Sequence, residues 1–259
     1  RHMFFNATNF NQPLNTWDTS RVTAMQSMFR GTVFNQPIGN WNTSNVTDMN
    51  HMFCGATEFN QPIGNWDTSN VTNMDGMFRN CVDDIAPIGV NYAFNQPIGD
   101  WNTKSVTSLR NMFQGAINFN QNINNWNVSS VTHMREMFRD AIVFNQPLDN
   151  WDTSNVQVML SMFQGAVNFN QNINKWNISQ VTTLKGMFMD NPIFNQPLDK
   201  WDTTNTREMT EMFKNAISFD QDLSSWNING VFSLNRMFNG MTLSRANYDA
   251  LLNSWANQK

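Results

Sequence analysis

With 259 residues and 40% hydrophobic content, the chain has ample apolar material for a core, and a net charge of -4 without any basic run argues against a partner whose phosphates need neutralising. Nucleic acid is therefore not an expected partner, and since no stretch approaches the roughly 20 apolar residues of a membrane-spanning helix, a transmembrane segment is not expected in this piece.

The chain opens with "RHMFFNATNFNQPLNTW", in which Met3 and Phe4 form a pair that stands mid-block everywhere else, as in "NHMFCGATEFNQPIGNW". It therefore starts inside a repeat, with neither an initiator methionine nor a signal peptide, and reads as a piece of a longer protein. Tryptophan marks the blocks: Trp17, Trp41, Trp66, Trp101, Trp126, Trp151, Trp176, Trp201 and Trp226 are separated by 24, 25 and 35 residues and then by five steps of 25. A fixed period in that range predicts a stacked solenoid over residues 1–240, one elongated unit in which each block buries its apolar face against its neighbours.

Within a block the apolar period changes. In "INNWNVSSVTHMREMF", Ile123, Trp126, Val128 and Val131 follow the pattern L-x-x-L-x-L, the Trp-x-Val portion alternating as a short strand does, and Val131, Met134, Met137 and Phe138 then recur at three to four residues, as one helix face does. Ser44, Ser69, Ser129, Ser154, Ser179 and Thr204 stand where they would cap that helix, and Gly31, Gly55, Gly115 and Gly165 where they would end it. The return leg is "FNQPIG" or "FNQNIN".

The long step after Trp66 reflects about ten extra residues near 82–92, within "CVDDIAPIGVNY". An array that otherwise keeps its period accepts extra residues at a loop, so Asp83, Asp84 and Tyr92 form a candidate recognition spot, against the alternative of a neutral surface loop. At the end of the chain, residues 241–259 leave the period. "LSRANYDALLNSWANQK" predicts a closing helix with Ser244 as N-cap and Tyr248, Leu251, Leu252 and Trp255 on one side.

The unit W-[DN]-[TVI]-S-x-V-T-x-M-x-x-M-F-x-x-A-x-x-F-N-Q-x-[IL] is similar to the BspA-like leucine-rich repeat family of microbial surface proteins, over nearly the whole chain. Thr206 replaces the usual Val, and Leu109, Leu184 and Leu234 replace the first Met. The resemblance implies an α/β solenoid: a leucine-rich-repeat-like right-handed coil of short parallel strands and short helices in about nine 25-residue repeats. It also implies an extracellular, cell-surface or virion-surface location, an interaction role, and no catalytic residues.

The phenylalanine columns through Phe34 and Phe53, and sixteen of the eighteen methionines, read as core spines. The asparagine column from Asn35 to Asn195, continued by Asp220, reads as structural, each amide bonding the backbone of its own turn and the next. The residue after each Trp points outward by strand alternation, which makes Asp18, Asn42, Asp67, Asn102, Asn127, Asp152, Asn177, Asp202 and Asn227 the candidate ligand-binding ladder. Ser20, Ser44, Ser69, Lys104, Ser129, Ser154, Ser179, Thr204 and Asn229 stand beside them. The alternative is a solvated face whose side chains bond one another, since no apolar anchor stands on it.

Nothing marks an enzyme, a metal site or a cofactor. No H-E-x-x-H, G-x-S-x-G or G-x-x-x-x-G-K occurs, and the acids recur as surface columns. Cys54 and Cys81, in adjacent blocks, are either a disulfide or two small buried thiols. The N-x-[ST] sequons at Asn6, Asn42, Asn45, Asn70, Asn127 and Asn177 are generated by the repeat itself. The reading is a non-enzymatic binding or adhesion module that presents a repetitive polar face to a glycan or protein on another surface. A coat or filament protein that self-associates end to end is the alternative, and an ice-binding surface the third.

Overall fold

The computed structural model describes residues 1–81 and 92–258. Successive blocks lie side by side, and eight parallel bridges link Ala24, Asp48, Asn73, Ser108, His133, Val158, Thr183, Glu208 and Ser233, one residue from each coil. The ladder thus runs through the V-T-x-M segment, seven residues past each Trp, and not through the Trp itself as expected. The tryptophan segment is held between two tight turns: Trp41 N donates to Ile38 O, and Val46 N donates to Thr43 O. The in-out alternation nevertheless holds, with Trp41 and Thr43 buried and Asn42 exposed.

The helix expected through the Met-Phe pair does not form. Met49, His51, Phe53 and Gly55 donate along the stack to the carbonyls of Asn73, Asp75, Met77 and Arg79, while Met52, Cys54 and Ala56 donate back three residues to Met49, His51 and Phe53. An α-helix would send every one of these N–H groups to the residue four back. What prevents it is a positive φ at two positions of the coil, 52° at His51 and 67° at Gly55, each the third residue of a four-residue turn. The glycines at 31, 55, 115 and 165 therefore serve a turn, where φ is 67–70°, and not a helix end. Among the described residues the one helix is α1, Arg245–Trp255.

The side chains inside the coils pack as continuous columns. Phe138 is fully buried, its ring 4.1 Å from Phe144, 5.7 Å from Phe113 and 5.5 Å from Phe163 by centroid, all near-parallel. Each such ring removed from water contributes about 1.5–3 kcal/mol. From Trp41 onward every repeat tryptophan is buried, and its indole N–H donates to a carbonyl of an earlier coil, as Trp126 Nε1 does to Ile98 O at 2.9 Å. The Trp column is thus core and stitch at once, because a buried indole N–H needs an acceptor.

The asparagine column is structural as expected, but each side-chain oxygen bonds the next coil and not its own turn, and the column is half-buried from Asn35 to Asn170 and exposed at Asn11 and Asn195. Asn120 Oδ1 accepts from Asn145 N at 3.0 Å and from Gln146 Nε2 at 3.1 Å, and the pattern repeats from Asn11 to Asn195. It ends on Asp220, whose Oδ1 accepts from Ser244 N and from Asn247 Nδ2 in α1. Ser244 caps α1, and Leu251 is buried under it. Cys54 and Cys81 are joined by a disulfide across adjacent coils, their Cα atoms 5.3 Å apart, which decides between the two readings of these cysteines.

Candidate functional site

The residue after each Trp forms a single row along one side of the stack. Asp18, Asn42, Asp67, Asn102, Asn127, Asp152, Asn177 and Asp202 are exposed, and Asn227 at the end of the row is half-buried. Each turns its Oδ1 back onto its own chain and accepts from the N–H two residues on: Asn42 from Ser44, Asp67 from Ser69, Asn102 from Lys104, Asn127 from Ser129 and Asn227 from Asn229, at 3.0–3.2 Å. Ser44, Ser69 and Ser129 add their hydroxyls to the same oxygen at 2.6–2.7 Å. These serines are therefore donors within a side-chain turn and not helix caps. At Asp18, Asp67, Asp152 and Asp202 the hydroxyl bond, and after it the backbone N–H, hold the carboxyl below its ordinary range, so these four stay ionised at neutral pH.

With Oδ1 fixed, the other polar atom of each side chain is what the row offers. The amide nitrogens of Asn42, Asn102, Asn127 and Asn177 bond no protein atom among the described residues, while Asn227 Nδ2 donates weakly to Thr204 Oγ1 at 3.4 Å. The row thus reads acceptor, donor, acceptor, donor, donor, acceptor, donor, acceptor, donor, with a step of about 4.8 Å per coil where neighbours pair as parallel strands.

A buried layer keeps the row rigid. In six of the nine coils the residue next in sequence is a buried threonine that bonds the backbone of the row in the next coil, as Thr43 Oγ1 does to Asp67 O and Thr103 Oγ1 to Asn127 O at 2.9 Å, while Val128, Ile178 and Ile228 stand there in the others. Three residues past the row position, Asn45, Asn70, Asn155 and Asn205 donate their amides to Ser20, Ser44, Ser129 and Ser179 O in the preceding coil. Sequence reasoning missed both sets, although the recurring T-S-N was their signal.

The second candidate spot does not assemble as expected. Tyr92 is fully buried, its hydroxyl donating to Phe53 O, and burial pushes its pKa well above the ordinary value. It packs into the core where an exposed recognition ring was expected, while Asp83 and Asp84 lie outside the described residues. Among the described residues no group of three His, Cys, Asp or Glu side chains is placed to hold a metal ion, and no helix is long and apolar enough to cross a membrane.

A family model described as "Mycoplasma protein of unknown function, DUF285" matches three overlapping stretches, residues 1–90, 88–190 and 143–255. The chain belongs to this family. Three tandem matches make it a repeat protein, in accord with the 25-residue period. A search of curated proteins finds no match to this DUF285 chain.

Proposed function

We propose that this DUF285 chain is a non-enzymatic binding module of a microbial surface, and that its ligand is a hydroxyl-rich polymer, a surface glycan, laid along the row from Asp18 to Asn227. The observation that carries the reading is the row itself: from Asp18 to Asp202 the side chains are exposed, each with one polar atom bonded to its own chain and the other bonded to no protein atom among the described residues, with donors and acceptors nearly alternating. A sugar hydroxyl donates and accepts, so a glycan can pair with both kinds of position, and many weak contacts add through multivalency. The absence of an apolar anchor among these exposed side chains favours such a partner over a protein interface centred on a buried hot spot.

The fold assigned with this reading is a leucine-rich-repeat-like right-handed solenoid of the BspA-like kind, for which the shared 25-residue motif and the parallel ladder are the support. The Cys54–Cys81 disulfide supports an oxidising, extracellular location. A glycan array tests the reading with the wild type and the triple variant Asn102→Ala, Asn127→Ala, Asp152→Ala. The expected result is glycan binding by the wild type and its loss in the variant, with the near-ultraviolet signal of the stacked tryptophans unchanged. A wild type that binds no surface glycan, or a variant that binds as well, overturns it.

A further inference from the structure

The end of the stack differs from its middle. Ser244 N and Asn247 Nδ2 bond Asp220 Oδ1 at 2.8 and 2.9 Å, and Asn247 Nδ2 also bonds Asp220 O at 3.0 Å, repeating what an Asn-Gln pair does in a regular coil. Trp255 lies 6.3 Å from Phe238 at 31°, the geometry of Trp226 on Phe213 at 6.2 Å and 31°. Helix α1 therefore imitates the return leg and the tryptophan of a further coil. It does not imitate the Met-Phe stretch. In the preceding coil Met209, Glu211, Phe213 and Asn215 N–H donate to Ser233, Asn235, Met237 and Asn239 O at 2.8–3.0 Å, but the equivalent donors of the last coil, Leu234, Arg236, Phe238 and Gly240, have no acceptor among the described residues.

Beside this row lies an open apolar groove of about 320 Å³ lined by Phe238, Met241, Leu243, Tyr248 and Leu251. Phe232, at the start of the same edge, is 75% exposed at a position that is threonine in most other coils.

We infer that residues 232–240 form a docking edge for a polypeptide segment of another protein that takes the turned path of a Met-Phe stretch, with one apolar side chain of that segment entering the groove beside Phe238. Donors at every second residue call for carbonyls at the same interval, which is the repeat of a peptide backbone. The edge is also continuous with an interface that seats a backbone segment at every coil junction of this chain. With α1 filling the return-leg half, a single segment fits the uncovered part, and a whole coil of a second copy does not.

The test uses the full chain and a synthetic peptide copying residues 131–141, "VTHMREMFRDA", the stretch that the fold seats on the N–H groups of Leu109, Asn111, Phe113 and Gly115. Amide exchange followed by NMR should find Leu234, Arg236, Phe238 and Gly240 fast in the free chain and slowed at least about tenfold by saturating peptide. A peptide carrying Phe138→Ala should bind roughly tenfold or more weakly, since it forfeits the burial of one ring. The triple ladder variant should bind the peptide as the wild type does, which separates this edge from the glycan row. No protection by saturating peptide overturns the inference, and so does protection in the free chain accompanied by a doubled mass in light scattering, since a second copy then covers the edge.

Discussion

Replacing Asn120 by alanine measures what the half-buried amide ladder contributes. The change removes one oxygen that accepts from Asn145 N at 3.0 Å and from Gln146 Nε2 at 3.1 Å. Asn145 N then sits in a partly buried site without a partner, which costs about 1–3 kcal/mol, while the Gln146 amide can turn to water and loses about 0.5–1 kcal/mol. The expected destabilisation is about 1.5–4 kcal/mol. Asn120→Asp keeps the oxygen and should cost less than about 1 kcal/mol at neutral pH, since charge strengthens such an acceptor. The chain already carries that arrangement at Asp220, whose carboxyl is held below its ordinary range by the Ser244 N–H and then by the Asn247 amide. Urea unfolding followed by tryptophan fluorescence gives both values, provided the m-value is unchanged. An alanine variant within about 0.5 kcal/mol of the wild type, or an aspartate variant as damaging as alanine, would refute the ladder argument.

Three further outcomes follow from the same packing. Phe138→Ala, at a fully buried ring in the middle of the stack, should cost about 3–5 kcal/mol and split thermal unfolding into two transitions, because coils couple only to their neighbours; a single unchanged transition in calorimetry would count against the spine. Reducing the Cys54–Cys81 disulfide, whose cysteines are 27 residues apart, should lower stability by about 2–4 kcal/mol, read as the difference between unfolding curves with and without reductant; coincident curves would remove its role as a staple. Asp18, Asp67, Asp152, Asp202 and Asp220 all have folded pKa values below the unfolded value of 3.8, so the stability they contribute is present above that pH and is lost as pH falls through the folded values. An acid titration in which stability did not decline in that range would contradict the hydroxyl and N–H bonds assigned to them.

The repeat, its core columns and the outward row were legible in the sequence, because a 25-residue period forces the same side chain into the same environment in coil after coil. Trp and Phe must be buried in such an array, and the residue after Trp must then face water, whatever the backbone between them does. The asparagine column was legible for a related reason, since a recurring amide beside a tight corner has backbone groups to satisfy. The path of the Met-Phe stretch was not legible. Apolar spacing of three to four residues fits a helix and a run of turns equally well, and the choice rests on a positive φ at positions where His51, Glu136 and Glu211 stand as well as glycine. No local preference favours φ > 0 at such residues; N–H bonds to the next coil hold them there. The fate of Tyr92 was decided in the same way, by a neighbouring coil that offered its ring a cavity and its hydroxyl the carbonyl of Phe53. The open donor edge at 234–240 could not be read from a local motif either, because it exists only where the stack stops and α1 covers half of its end.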